Sequence, residues 1–274
     1  MVRNANHSAH WQVPFSALFP FLMIAFSIAW GILALFIWPA DRFIALVGEI
    51  SGTHPLFFLA VYAPAIAAIL LVLWHGGLRG LAAYLSRLAL WRCGWSWLGF
   101  VLFGIPLIYA AGSLAKGPLW GNPFRFDSLS GMLAAMGFML ILGPVEEFGW
   151  RGLALPLLQR RMAPVWAGLI LGIIWGVWHL PAFFLSGTPQ GAWGFTPFFI
   201  GSISVSVILT PLFNRTGGSI LWAMLFHFQL NNPLWPDAQP YDTTIFAAAA
   251  VLVVWLNRST MFTRDAACTR VIPD

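Results

Sequence analysis

Eight stretches of the chain run apolar without a single Lys, Arg, Asp or Glu: 15–38, 55–74, 93–115, 128–145, 162–185, 195–213, 217–232 and 243–257. A helix needs about 20 apolar residues to cross the hydrocarbon of a bilayer. Backbone polar groups inside lipid must be satisfied within the spanning segment, so each stretch is predicted to be helical. The last two are short and cross only if steeply inserted or where the bilayer is thin, which leaves seven spans as the fallback. The first is too long for the apolar core of a signal peptide, and no A-x-A site follows it, so it is expected to stay. No repeat and no low-complexity linker interrupts the pattern. The expected fold class is all-α: a polytopic integral membrane protein with about eight transmembrane helices in one bundle, forming a single domain over 1–274.

Composition agrees with the pattern. Hydrophobic residues make up 59% of the 274 and charged ones 8%, against roughly 25% charged in soluble domains. With a mean hydropathy of +0.80, that excess cannot be hidden in one soluble core of this length. A cytosolic globular enzyme, a nucleic-acid-binding domain and a disordered chain are excluded. The net charge of +5 does not call for nucleic acid as a partner, because arginines in cytoplasmic loops explain it. With the N-terminus inside, Arg3, Arg79, Arg87, Arg92, Arg160, Arg161, Arg215, Arg258, Arg264 and Arg270 fall on the cytoplasmic side. Arg42, Lys116 and Arg125 fall outside. That asymmetry predicts N-in and C-in, which an even number of spans allows. The compact chain and short loops point to a bacterial inner membrane. Cys93 and Cys268 are far apart and form no CxxC motif. In 76–92, Leu78, Leu81, Leu85 and Leu88 recur at helical spacing among Arg79, Arg87 and Arg92. This reads as a short basic helix on the inner surface, or equally as a plain cytoplasmic connector.

The informative residues are the polar ones in apolar surroundings. Gly143-Pro144-Val145-Glu146-Glu147-Phe148-Gly149-Trp150-Arg151-Gly152 continues directly from the fourth stretch and holds three charges. A charge at the bilayer centre costs on the order of 3 kcal/mol on the insertion scale, so these three must face protein or water, or mark a helix end. The plain alternative is an interfacial Glu147–Arg151 pair at i,i+4. Two further sites weigh against it: Trp175-Gly176-Val177-Trp178-His179 in the fifth stretch and His227-Phe228-Gln229-Leu230-Asn231 in the seventh. At about 1.5 Å per residue, Glu146 lies roughly 20 Å from a helix end near 159, and His179 about 22 Å from a start near 164. His227 and Asn231 lie about 15 and 21 Å from a start near 217. Polar residues of three helices can therefore meet at one level. Pro144, Pro156, Pro181 and Pro233 lie close by and bend helices around cavities. Gly168, Gly172 and Gly176, four residues apart, read as a close-packing face.

A carboxylate, two imidazoles and an amide suit hydrolysis. A glutamate can take a proton from water as general base, and His and Asn donors can stabilise a tetrahedral oxyanion. No serine is marked as nucleophile, since Ser219 follows two glycines without a G-x-S-x-G. H-E-x-x-H is absent. Asp237 and Asp242 make a weak aspartate pair before the last stretch. Glu146, His179 and His227 could hold zinc with a bound water, or hold a water without metal.

At these residues the chain resembles the CAAX-protease and bacteriocin-processing family of intramembrane endopeptidases. That family's pattern is E-E-x-x-x-R, then F-x-x-x-H, then H-x-x-x-N. Here it reads Glu146-Glu147-x-x-x-Arg151, then Trp175-x-x-x-His179, then His227-x-x-x-Asn231, with the resemblance covering about 128–235 as the catalytic motif region. Trp175 stands where phenylalanine is usual, a change expected to alter packing and leave the chemistry alone. The resemblance implies that Glu146 activates the attacking water, that His179 helps hold it, and that His227 and Asn231 form the oxyanion hole. Glu147 and Arg151 would support the site through an ion pair or contact substrate. The family has been described both as metalloproteases and as metal-independent glutamate proteases. The metal-independent reading is favoured here, with zinc as the alternative cofactor, because Asn231 suits an oxyanion hole better than a metal shell. The implied partner is a membrane-associated peptide or protein substrate.

Two other classes compete. Buried Glu, Arg and His also serve proton-coupled transporters, although many of those show internal repeats. A non-catalytic scaffold or immunity protein would keep the fold without the activity.

Overall fold

The computed structural model describes residues 12–38, 40–117, 126 and 128–273. Among these residues the secondary structure is helical and there is no strand. Arg3 and Arg125, used above for orientation, lie outside the described residues. Among the described residues six helices are long and apolar enough to span a membrane: α1 (Phe15–Ile37), α2 (Pro55–Ala89), α3 (Trp95–Lys116), α4 (Leu129–Gln159), α5 (Pro164–Phe184) and α6 (Phe195–Arg215). Two shorter apolar helices follow, α7 (Ile220–Leu230) and α8 (Tyr241–Leu256). All eight predicted stretches are thus helical. At about 1.5 Å per residue, α7 and α8 reach only about 16 and 24 Å against a hydrocarbon core near 30 Å. Trp74 and Leu78 are 84% and 80% exposed. A soluble protein would not present such a surface, whereas lipid covers it without cost. The protein is an integral membrane protein.

Helix starts follow local chemistry. The Ser128 hydroxyl accepts from the Gly131 N–H at 3.1 Å, and the Ser219 hydroxyl accepts from the Trp222 N–H at 3.1 Å. Each satisfies one orphan donor of its helix. Ser219 also donates to the Leu90 carbonyl at 2.8 Å, so its hydroxyl is occupied by structure.

Two close helix contacts frame the interior. A Cβ on Gly172 would sit 2.7 Å from Ile203 Cα, and one on Gly176 would sit 2.6 Å from a Phe199 ring carbon. The glycine stripe of α5 therefore packs on α6, as its spacing predicts. Ser206 of α6 donates to the Gly168 carbonyl at 2.8 Å across this contact. On the other side, Gly149 of α4 faces Pro64 of α2, where a Cβ would meet the proline carbonyl oxygen at 2.6 Å.

Helix α4 is not regular. Its middle passes through a 3₁₀ turn (Pro144–Glu146), one α-turn (Glu147–Gly149) and a π-bulge (Trp150–Ala154) before resuming at Leu155–Gln159. Carbonyls that lose their helical partners in a membrane need others, and α2 supplies them. Tyr62 donates to the Ile141 carbonyl at 2.9 Å. Tyr84 donates to the Phe148 carbonyl. Pro156 has no N–H to give the Gly152 carbonyl, and Arg87 donates there at 2.6 Å.

Arg87 corrects the expectation for 76–92. Helix α2 breaks at Gly77, whose φ of +58° is a left-handed conformation that glycine adopts freely. The segment after the break packs inward through Gly80, Tyr84 and Arg87. The Arg87 side chain is 2% exposed. It also donates to the carbonyls of Gly218 at 2.8 Å and Val271 at 3.1 Å. Leu78 and Arg79 do point outward. The segment is therefore half of a packed helix, and one of its basic residues ties the core together.

Candidate active site

The irregular middle of α4 places Glu146 at the end of its 3₁₀ turn and Glu147 at the start of the next turn. Adjacent residues on a helix point about 100° apart, so the two carboxylates meet different neighbours. Glu146 is 4% exposed and Glu147 fully buried. Oε2 of Glu146 accepts from the indole N–H of Trp175 at 2.8 Å and from that of Trp150 at 3.3 Å. Oε1 of Glu147 accepts from Arg151 at 2.9 Å and from His227 Nδ1 at 2.7 Å. The predicted Glu147–Arg151 pair is present, buried at both ends. The Glu147–His227 bond was not foreseen.

That bond orients the His227 ring. With Nδ1–H committed to Glu147, Nε2 is the free nitrogen. It acts as acceptor in the neutral ring and as donor in the imidazolium. Asn231 sits one turn further, at the C-terminal cap of α7. Its side-chain nitrogen and His227 Nε2 both crowd Gly143: a Cβ built there would collide with the Asn231 amide and lie 3.2 Å from His227 Nε2. Gly143 is thus the point where α4 and α7 bring the histidine and the amide side by side.

His179 caps the regular part of α5, where a 3₁₀ turn (Leu180–Phe184) takes over. Its Nδ1 lies 2.8 Å from the Trp175 carbonyl oxygen. Rings of Trp175, Trp178 and Phe198 stand around it with centroids 5.5, 4.8 and 5.0 Å away. Trp175 is the hub: its ring also meets His227 at 5.4 Å and lies under the Arg151 guanidinium at 5.0 Å. All six predicted residues, Glu146, Glu147, Arg151, His179, His227 and Asn231, therefore belong to one cluster.

Sequence reasoning missed the two tryptophans. Trp175 was expected to change packing alone, yet its N–H bonds the Glu146 carboxylate, which phenylalanine cannot do. Trp150 had a signal, since it lies four residues after Glu146 and hence on the same helical face. Asp237 pairs with Lys116 at 2.6 Å on the surface, and Asp242 lies in the first turn of α8. Among the described residues no three His, Cys, Asp or Glu side chains come together as a metal-ligand group. As they stand, Glu146, His179 and His227 do not fit a zinc site.

The segment that carries the cluster is similar to known proteins. Residues 128–232 match the family Type II CAAX prenyl endopeptidase Rce1-like, and that segment holds all six residues. The chain is also 25% identical to the protein named CAAX prenyl protease 2 of Methanococcus maripaludis, over 232 residues that make up 80% of this chain and 86% of the relative. A helical membrane protein that gathers this ordered set of residues within the matching segment, and aligns with such a relative over most of its length, resembles the Rce1-like type II CAAX prenyl endopeptidases, and the likeness indicates a peptidase.

Proposed function

We propose that the protein is an intramembrane endopeptidase that hydrolyses a peptide bond by general-base activation of water at Glu146. The observation that carries this reading is the arrangement around Gly143. There a ring nitrogen of His227, held from behind by Glu147, stands beside the Asn231 amide. Two such groups side by side suit an oxyanion.

In this mechanism Glu146 takes a proton from water as the water attacks the scissile carbonyl. His179, with Nδ1 directed at the Trp175 carbonyl, presents Nε2 to hold that water. The oxyanion receives a hydrogen bond from Asn231 Nδ2 and one from Nε2–H of the His227 imidazolium. Glu147 fixes the His227 ring through Nδ1–H, and Arg151 holds Glu147. Collapse of the tetrahedral intermediate sends the proton on Glu146 to the leaving amine. No step passes through a metal.

The substrate proposed is a membrane-associated peptide or protein of the CAAX type, the kind named in its archaeal relative. The reading includes eight membrane-inserted helices in one domain over 1–274, N-in and C-in, with 128–235 as the catalytic region, in a bacterial inner membrane.

The test is cleavage of a fluorogenic peptide ending in a prenylated CAAX sequence by the purified protein, with its unprenylated counterpart beside it. Glu146→Gln should lose at least about a hundredfold in kcat, within the range for general-base removal, while its melting curve stays that of the wild type. Retained turnover in that folded variant would refute the mechanism. Activity that survives exhaustive chelation supports the metal-free route. Loss on chelation with recovery on zinc would replace it.

A further inference from the structure

Glu146 has two carboxylate oxygens, and a general base uses only one of them at a time. Something must decide which. Oε2 accepts two hydrogen bonds, from Trp175 at 2.8 Å and Trp150 at 3.3 Å, and no donor among the described residues reaches Oε1. Both donors are rigid. Trp150 is fully buried, with its ring edge-on to Phe21 at 5.5 Å and to Trp178 at 5.7 Å. Trp175 is fixed between Arg151, His179 and His227.

An indole nitrogen donates and does not accept. Neither tryptophan can therefore receive a proton from the carboxylate. Oε2 is committed to accepting, and the proton taken from water goes to Oε1. Two donors arriving from α4 and α5 also fix the plane of the carboxylate, whereas a single donor would leave rotation about the last side-chain bond.

We infer that Trp175 and Trp150 are positioning residues that hold Oε2 of Glu146 and leave Oε1 as the basic oxygen, so that the indole N–H groups set the activity of this site. This rests on Glu146 acting as the general base. It also gives a role to the departure from the family pattern: with phenylalanine at 175, one of the two donors is missing.

Shape and hydrogen bonding can be separated by replacing Trp175 site-specifically with 3-benzothienylalanine, which keeps the bicyclic ring and replaces N–H by sulfur. The proteins are kept full-length in lipid nanodiscs. First, without substrate, indole 15N–1H spectra are compared between wild type and Glu146→Ala, with Trp150→Phe and Trp175→Phe used to assign the two resonances. Both should move upfield when the acceptor is removed. If neither moves, the inference falls, whatever the activity.

Second, kinetics are read on the CAAX peptide. Loss of this bond should free the carboxylate from its productive orientation and lower kcat about tenfold to a hundredfold, with KM unchanged. Fluorotryptophan at 175, which retains the N–H, should stay within about threefold of wild type. Trp175→Phe should follow the benzothienyl variant. If that variant keeps full kcat while wild type is active, the positioning role fails and the proposed peptidase reading stands. If wild type cleaves no peptide although both resonances respond, the peptidase reading fails and the positioning role falls with it.

Discussion

Replacing Arg87 with Met separates two views of one residue. As a basic residue of an inner-surface helix, Arg87 would be dispensable for stability. In the structure Arg87 is 2% exposed and its guanidinium donates to the carbonyls of Gly218, Gly152 and Val271 at 2.8, 2.6 and 3.1 Å. Methionine fills a similar volume without any donor. Each buried carbonyl left unsatisfied costs about 1–3 kcal/mol, so three give roughly 3–9 kcal/mol. The Arg87 charge is itself held without a carboxylate partner among the described residues. Removing it recovers a desolvation cost of several kcal/mol, leaving a net loss of about 3 kcal/mol. For a chain of this size that lowers Tm by about 6–12 °C. Tryptophan fluorescence during thermal unfolding in a mild detergent would read it, with Arg92→Met as control. Arg92 is exposed, and its loss should move Tm by no more than about 2 °C. Peptide cleavage should also weaken, because Arg87 bonds the Gly152 carbonyl within the π-bulge that follows the two glutamates. Equal Tm values for the two variants would refute the reasoning.

Other expectations follow from the same geometry. Gly143→Ala places a methyl against Asn231 and His227 Nε2 in an ordinary helical conformation; kcat should fall at least about tenfold with Tm little changed, and a fully active variant would remove both groups from the oxyanion hole. Gly172→Val drives a side chain into the Ile203 backbone and should cost about 1–3 kcal/mol of stability, read as a lower Tm, without changing the site residues. Burial pushes the Cys268 thiol above its ordinary pKa, and the Arg87 charge only partly offsets it. A raised pKa leaves less thiolate at neutral pH, so maleimide labelling of Cys268 at pH 7 should run slower than that of a free thiol and keep accelerating beyond about pH 9. Labelling as fast as free cysteine would contradict this.

The apolar pattern alone located all eight helices, because lipid solvation acts on each segment's own composition and needs no knowledge of its neighbours. Spacing alone also marked the contact face of α5. The six polar residues of the cluster were legible for a related reason: charged, imidazole and amide groups in apolar segments are costly enough to need partners.

What the residues do to one another was decided by the tertiary structure. Trp175 lies 29 residues from Glu146, and His227 lies 80 from Glu147. Arg87 reaches carbonyls 65, 131 and 184 residues away. Hydropathy is a sum over one segment, and it read Arg87 as a surface charge and Trp175 as bulk. A hydrogen bond depends on direction and on separations near 3 Å. Those are set by where α4 breaks, which donors α2 brings to the freed carbonyls, and how closely Gly143 lets α7 approach. Sequence alone determined that the chain lives in lipid and which residues could do chemistry there. Only packing decided which of them touch, because an interatomic distance belongs to the whole fold and cannot be summed from its segments.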